Sequence, residues 1–353
     1  MENKKQLEEL IDVVIKEGGS DLHLSSGRKP AIRVSGELIT LENKAVLTPK
    51  DTFALMSELL RDEEKTRFLN EKEIDFSYSY KESARFRCNC YFQRGTIGIA
   101  MRLIPRRIKT LQELNLPPIL QTFANKQQGF FLVVGPVGHG KTTTLASMIE
   151  IINTQRTEHI ITIEDPIEYM YEGKKSMIEQ REVKIDTKDF QTALKSMFRQ
   201  DVNVVMIGEM RGTETISAAV TAAETGHLVL STLHTNNASQ TIDRIIDSFH
   251  ADAQAQIRTQ LAGSLMGIFS QRLVPRISGG VIPSYELLIN NNAVANLIRE
   301  GRTHEIDTVI ETSSEIGMID INRSLAELVR AGEITIENAQ KYATDAHLLE
   351  KAL

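Results

Sequence analysis

The chain opens with a helical pattern of apolar positions. Apolar residues recur at i, i+3, i+4, i+7 and i+8, through Leu7, Leu10, Ile11, Val14 and Ile15. That spacing places these side chains on one face of a helix, and Gly18-Gly19 is a typical end signal. We therefore predict an amphipathic helix that packs one face against a core.

Segments with strand and helix character alternate up to residue 104. Strands are predicted at 21–24 and 31–34, and helices near 52–60 and 63–70. From Ile74 the polarity alternates with period two, which predicts paired strands at 85–92 and 96–103. We predict a mixed α/β domain over 1–104, followed by a proline-containing basic linker at 105–117.

A repeated strand-then-helix pattern begins after the linker. Apolar, β-branched runs predict buried strands at 130–134, 160–163, 204–207 and 228–231. Strands of this kind, alternating with helical stretches, are typical of a parallel sheet covered on both faces. Residues 118–353 are predicted to form an α/β domain. Its part from about 238 is predicted to be helical, with stretches at 257–269, 292–299 and 319–331.

The first of these buried strands leads into a glycine-rich loop. The pattern G-x-x-x-x-G-K-[ST] is matched by Gly135, Pro136, Val137, Gly138, His139, Gly140, Lys141 and Thr142, and a predicted helix begins at Thr143. Such a loop points backbone N–H groups at phosphate oxygens, its lysine reaches the outer phosphates, and its hydroxyl ligates Mg²⁺. The alternative is a chance glycine turn. The flanking strand and helix favour a nucleoside triphosphate site.

Acidic residues follow two of the later strands. Glu164 and Asp165 come after the strand at 160–163, and Glu209 follows the strand at 204–207. The carboxyl ends of parallel strands face the ligand side of the sheet. Gly208 stands where many phosphate-loop enzymes have an aspartate. We therefore expect Mg²⁺ to depend on Thr142, phosphates and water, and Glu209 to polarise the attacking water.

Two histidines flank the last of the predicted buried strands. His227 precedes the strand at 228–231 and His234 follows it, so that one of them could sense a γ-phosphate. His227 could equally be a structural histidine at a strand edge, whereas His234, beside Thr232 and Thr235, is favoured as functional. The acids have alternatives too, because they could cap a turn or lie on the surface.

Composition sets the broad class. The 353 residues are 41% hydrophobic and 25% charged, with a net charge of −6 that offers no general attraction to nucleic acid. The first residues lack the apolar core of a signal peptide, and no apolar run approaches the length of a membrane span. We expect a cytoplasmic protein. The two cysteines, Cys88 and Cys90, are expected to be a reduced, partly buried pair on one strand face.

Four motifs, in this order, resemble those of the type II/IV secretion ATPase superfamily. GPVGHGKTT, ITIEDPIEY, VVMIGEMRG and GHLVLSTLHTN are similar to its Walker A motif, aspartate box, Walker B motif and histidine box. SDLHLS and RFRCNCYFQRG resemble its N-terminal domain, so the resemblance covers nearly the whole chain. It implies a PAS-like α/β domain followed by a RecA-like ATPase domain with a helical C-terminal part.

The resemblance also implies roles for individual residues. Glu209 becomes the catalytic carboxylate, and Glu164 assists at the metal and the water. His227 and His234 link the γ-phosphate of ATP to the subunit interface. All four residues stand within the matching motifs.

A ring of six subunits is implied as well, with ATP bound between neighbours. Arginines of the N-terminal domain then act in trans, and the candidates are Arg87 and Arg102, with Arg85 and Arg94 in reserve. Without the resemblance, the same arginines read equally well as a solvated strand face.

The direction of the motor rests on one further segment. Residues 293–300, AVANLIRE, are similar to a motif of the ATPases that retract type IV pili, with Ala295 in place of an arginine. We expect a cytoplasmic ATPase that drives pilus retraction and twitching motility. It would dock on an inner-membrane platform protein at the pilus base and work beside other pilus ATPases.

Other functions remain open. They are an accessory retraction motor, an extension or secretion ATPase, and a module that binds ATP without turning it over. Extension and secretion relatives commonly carry a four-cysteine zinc element, which two cysteines cannot supply.

The sequence also departs from the family pattern at a few positions. His139 replaces the usual serine, with little effect expected because that position contributes mainly its backbone N–H. Val202-Asn203 and Gly212 are departures beside the Walker B motif that could alter an interface or coupling.

Overall fold

The computed structural model describes residues 2–34, 36–81 and 84–353. The chain divides into two compact units. One comprises Met1–Arg106 with Glu168–Met170, and the other comprises Arg107–Ile167 with Tyr171–Leu353. Each unit has its own sheet and its own buried apolar core. The predicted α/β class, with two separately built sheets, is confirmed.

The first unit combines three helices with an antiparallel sheet. The helices are α1 (Glu2–Lys16), α2 (Pro49–Leu59) and α3 (Asp62–Glu71). The strands are β1 (Asp21–Ser25), β2 (Ala31–Val34), β3 (Glu37–Thr40), β4 (Glu73–Tyr80), β5 (Ala84–Gln93) and β6 (Thr96–Leu103). Their order is β3-β2-β1-β6-β5-β4, in agreement with the PAS-like prediction. The sequence pattern did not predict β3, because its four residues are all exposed and do not alternate in polarity.

The apolar face of α1 forms one side of the first core. Leu7, Leu10, Ile11 and Val14 are each 0% exposed, whereas Ile15, predicted on the same face, lies at its margin and is 39% exposed. The next helix, α2, starts with a capping box in which Thr48 and Asp51 exchange side-chain to backbone hydrogen bonds. The predicted opening helix and the β5–β6 hairpin are both present.

Cys88 and Cys90 lie on the buried face of β5, as free thiols. Burial raises the pKa of Cys90 to about 12 and raises that of Cys88 well above its ordinary value.

The thiolate is the reactive form of cysteine. At about pH 8 we therefore expect the native protein to react with an aromatic disulfide reagent at least about 100 times more slowly than the urea-unfolded chain. Absorbance of the released thiolate measures both rates, and a native rate within tenfold would contradict the burial.

The second unit begins with alternating helices and strands. They are α4 (Leu120–Ala124), β7 (Gly129–Val134), α5 (Lys141–Gln155), β8 (His159–Glu164), β9 (Met177–Glu182), α6 (Phe190–Met197), β10 (Val204–Ile207), α7 (Thr213–Glu224) and β11 (Leu228–Leu233). The segment predicted as a linker, 105–117, holds neither helix nor strand. Leu111 and Leu116 of that segment pack into the core of this unit.

Its C-terminal part consists of helices and one β-hairpin. The elements are α8 (Ala238–Asp247), α9 (Ala251–Ser264), β12 (Leu265–Pro275), β13 (Val281–Ile289), α10 (Asn292–Glu300), α11 (Ile306–Thr312), α12 (Ile321–Arg330), α13 (Ile336–Tyr342) and α14 (Ala346–Ala352). The prediction of a helix through 257–269 is wrong beyond Ser264, where β12 takes over. A short apolar run such as Leu265–Phe269 fits a buried strand as well as a buried helix.

The sheet of the second unit has the order β13-β12-β7-β11-β10-β8-β9. Its pairs are parallel except β12 with β13. If β9 is left out and the parallel strands are numbered along the chain, β12-β7-β11-β10-β8 becomes 5-1-4-3-2. This is the strand order of a RecA-like sheet. Along β7, Phe130 and Leu132 enter one apolar cluster while Phe131 and Val133 enter another, so both faces are covered as predicted.

No helix within the described ranges combines the length and the apolarity needed to cross a membrane.

Candidate active site

Four parallel strands of the second unit end side by side. β7, β11, β10 and β8 are neighbours in that order and pair in register. The glycine-rich loop follows β7, Glu164 ends β8, Glu209 follows β10 and His234 follows β11. Because the carboxyl ends of parallel strands meet at one edge of a sheet, these groups lie around one site.

The loop has a backbone conformation that glycine favours. Gly135, Gly138 and Gly140 have φ angles of 141°, 79° and 79°, which side chains with a Cβ rarely adopt. Gly140 is the N-cap of α5, so the first turn of the helix directs its N–H groups toward the loop. Val137, at the tip, is 81% exposed. A phosphate group would meet backbone donors along this loop.

The side chain of His139 is held by a strand. The backbone N–H of Leu273, on β12, donates a hydrogen bond to His139 Nδ1 at 2.8 Å. The imidazole thus contacts β12, in addition to the backbone role expected for this position.

Lys141 is buried beneath the loop, with 7% exposure. Its ammonium group donates to Gly135 O at 2.9 Å and Pro136 O at 2.8 Å, and lies 3.2 Å from His234 Nδ1. An ammonium group has no acceptor capacity, so His234 Nδ1 must accept and the ring proton belongs on Nε2. The structure thus brings together Lys141 and His234, residues that lie in separate motifs.

Glu209 continues this line of polar groups. Its Oε2 lies 3.6 Å from His234 Nε2, and its Oε1 forms an ion pair with Arg211 Nη2 at 2.5 Å. The Glu209 carboxylate raises the pKa of Arg211 through that hydrogen bond. A cavity of about 500 Å³ opens in front of these three residues. Sequence reasoning missed Arg211, although its place two residues after the acid was a usable signal.

Glu164 lies at the end of β8 with 3% exposure. Its Oε1 accepts hydrogen bonds from Thr162 Oγ1 at 2.6 Å and Gln180 Nε2 at 3.3 Å. Gln180 belongs to β9, a polar strand that the sequence pattern did not reveal. A Cβ on Gly208 would lie 3.5 Å from the Glu164 Cα, so the backbones of β8 and β10 approach closely here. Glu164 therefore borders the site as a buried, hydrogen-bonded acid.

His227 is placed elsewhere. It precedes β11 and therefore lies at the amino end of the strand, opposite the end that carries His234. The strand β11 lies between the two histidines, and the seven residue steps from His227 to His234 span about 23 Å at roughly 3.3 Å per residue. Its Nδ1 contacts Ala222 O at 3.0 Å, and its ring packs edge-on against Phe198. The structure does not bring His227 to the phosphate loop of its own subunit.

Arg87 and Arg102 lie in the first unit. They are direct partners across β5 and β6, which puts both side chains on the same face of that sheet. Arg102 forms an ion pair with Asp21 at 2.9 Å and is 69% exposed. The two guanidinium groups thus stand on one surface, and their action in trans stays a prediction.

Metal ligands were assessed over the described residues. No group of three or more His, Cys, Asp or Glu side chains there could hold a metal ion. Thr142 lies half-buried in the first turn of α5, next to the loop. A hydroxyl in this position is compatible with Mg²⁺, which in phosphate-loop sites takes few protein ligands and completes its shell with phosphates and water.

The glycine-rich loop lies between the parallel strand β7 and the helix α5, and acids stand at the ends of neighbouring strands. This arrangement defines the class of phosphate-loop proteins. The family model described as Type II/IV secretion system protein matches residues 3–344. This chain belongs to that family.

Individual relatives agree with the family assignment. The chain is 42% identical over 335 residues to the type IV pilus retraction ATPase PilT of Pseudomonas aeruginosa, covering 95% of this chain and 97% of that protein. It is 40% identical over 343 residues to the type IV pilus ATPase PilU of the same species, covering 97% and 90%. A crystal structure of the pilus retraction motor PilT with bound ADP matches with a TM-score of 0.91 at 42% identity, over 98% of both chains.

Proposed function

We propose that this chain is an ATPase motor that uses Mg·ATP hydrolysis to drive retraction of a type IV pilus, that is, disassembly of pilin. The observation that carries the proposal is the convergence of Lys141, His234 and Glu209 at the carboxyl ends of parallel strands. The similarity to a pilus retraction ATPase over 95% of the chain supports the biological setting.

Phosphoryl transfer to water requires positioning and charge neutralisation. In the proposed reaction, the loop N–H groups and Lys141 bind the phosphates, which replace the carbonyl oxygens that now accept from the lysine. Glu209 orients and polarises the attacking water in the cavity in front of it. His234, in contact with both residues, faces the γ-phosphate. These groups are in place before the reaction, so little reorganisation is needed at the transition state.

Mg²⁺, when bound, would neutralise charge that develops on the phosphates. Thr142 would supply the hydroxyl ligand, and Glu164 would hold a water in the metal's outer shell. Its two hydrogen bonds, from Thr162 and Gln180, fix the Glu164 carboxylate for that task.

We further propose that the active form is a homohexamer with ATP bound between neighbouring subunits. Arg87 and Arg102 of one subunit would then neutralise phosphate charge in the next. Such a ring would sit at the pilus base, on the cytoplasmic side, against an inner-membrane platform protein. The proposed domains are residues 1–104 and 118–353, joined by 105–117.

A second candidate is an accessory retraction motor. It is favoured by the 40% identity to the pilus ATPase PilU, which is close to the 42% for PilT. It is also favoured by Ala295, which departs from the retraction motif and is 7% exposed in α10.

Two measurements test the proposal. The purified chain should release phosphate from Mg·ATP in a steady state, and a chain that binds ATP without turnover would instead be a regulatory module. A deletion strain should carry excess surface pili and lack twitching if the chain is the principal retraction motor. Absent pili would indicate an extension motor. Normal twitching with altered force would indicate the accessory role.

A further inference from the structure

The phosphate loop is held from one side by β12, a strand that follows it by some 130 residues. The side chain of Gln271, on this strand, is 3% exposed. Its Nε2 donates to His139 O at 2.8 Å, and its Oε1 accepts from Thr144 Oγ1 at 2.6 Å. One buried amide therefore ties the backbone of the loop to the first turn of α5.

A second tie lies two residues further along the strand. The backbone N–H of Leu273 donates to His139 Nδ1 at 2.8 Å. His139 is thus bound to β12 through both its carbonyl oxygen and its imidazole. The tie needs an unprotonated Nδ1, since a protonated imidazole has donors on both nitrogens and no acceptor.

The loop glycines fit closely against the same strand. A Cβ on Gly135 would lie 2.3 Å from Gln271 O, and a Cβ on Gly140 would lie 2.9 Å from Gln271 Nε2. Both positions also have positive φ. A side chain at either position would therefore clash with Gln271, so the loop packs this closely against β12 only with glycine there. We call Gln271, Leu273 and His139 the β12 bracket.

We propose that Gln271 and His139 are positioning residues that hold the phosphate loop in its nucleotide-binding shape before the nucleotide arrives. The inference rests on the proposed function, because it takes a nucleoside di- or triphosphate as the ligand. A loop that is ordered in advance does not lose conformational entropy on binding, so the bracket increases affinity through the shape of the loop.

The bracket also makes nucleotide binding sensitive to pH. Burial lowers the pKa of His139, and the charges of Lys141 and Arg272, which both face it, lower it further. The imidazole is therefore neutral, and the bracket complete, at and above neutral pH. Because the pKa of His139 is lowered, protonation breaks the bond to Leu273 only at a pH more acidic than that at which a free histidine is protonated. Affinity should fall in that direction.

Calorimetric titration of the full-length protein with ADP tests the inference. We expect His139→Ala to weaken ADP binding about five- to tenfold, the factor that one lost hydrogen bond supplies, and Gln271→Met, which loses two hydrogen bonds, to weaken it at least as much. His139→Asn, whose Oδ1 can take the place of Nδ1, should stay within about twofold of wild type. The control is Gln260→Ala on α9. It removes an exposed hydrogen bond to Glu224 of α7 and should bind ADP as wild type does.

The pH series gives an independent readout. ADP titrates near pH 6 itself, so the comparison is between wild type and His139→Asn. Wild type should lose more affinity than His139→Asn as the pH is lowered from 7.5 through the acidic range in which the protein stays folded, because asparagine does not titrate. Equal pH dependence, or unchanged affinity in both His139→Ala and Gln271→Met, would overturn the bracket. Wild type that fails to bind ADP would instead overturn the proposed function.

Discussion

Replacement of Glu209 by glutamine is expected to lower steady-state ATP turnover at least about 100-fold while ATP affinity stays within about twofold. The amide keeps the shape of the side chain but cannot polarise a water as a carboxylate does. Lys141→Ala should instead abolish both binding and turnover, because it removes the cation that reaches the phosphates. Phosphate release measures turnover, and calorimetry measures affinity.

The pair of variants separates catalysis from binding. Glu214→Gln, five residues further on at the exposed start of α7, is the matched control and should turn over ATP like wild type. If Glu209→Gln retained turnover near wild type while Lys141→Ala abolished it, the catalytic carboxylate would have to be sought elsewhere, with Glu164 as the next candidate.

A mixture of Arg102→Ala and Lys141→Ala subunits is expected to regain ATPase activity that neither variant has when pure. In a mixed ring, the loop of an Arg102→Ala subunit can face the intact arginine of a Lys141→Ala neighbour, which restores one complete site. Arg102 is 69% exposed but its partner Asp21 is only 9% exposed, so circular dichroism of Arg102→Ala has to show that the variant stays folded when the buried carboxylate loses this ion pair.

The control mixture is Lys141→Ala with Glu209→Gln. Lys141 and Glu209 both belong to the half of the site that the subunit with the phosphate loop supplies. No arrangement of these two variants therefore yields a complete site, and activity should stay low. Native mass spectrometry confirms mixed assembly. If mixed rings form and the Arg102→Ala mixture stays inactive, Arg102 does not act in trans and Arg87 becomes the candidate to test.

Much of the fold follows from local pattern. The pattern predicts the apolar face of α1 because apolar residues recur there with the helical period of 3.6. It predicts the buried strands β7, β8, β10 and β11 because each is an uninterrupted apolar run. The edge strand β3 and the polar strand β9 are not, since their side chains are largely exposed or half-buried and carry no such signal. The start of β12 was predicted as helix, because an apolar run that directly follows a helix resembles its continuation.

The two histidines show how topology sorts equal sequence signals. Both flank β11, and pattern alone gave each a possible role at the γ-phosphate. The parallel register places His234 at the edge where the loop lies and His227 at the opposite edge. Ligands bind at the carboxyl ends of parallel strands, so the chain direction of β11 is enough to favour His234 over His227.

The sequence by itself determined the chemistry of the loop from Gly135 to Thr142, because glycine backbone freedom, a lysine and a hydroxyl at fixed spacing are local properties. Tertiary structure decided what holds that loop and what faces it. Gln271 and His234 reach it through strand pairing across long stretches of chain. Hydrogen bonds between side chains so far apart leave no periodicity in a single sequence, and they exist only once the sheet has formed.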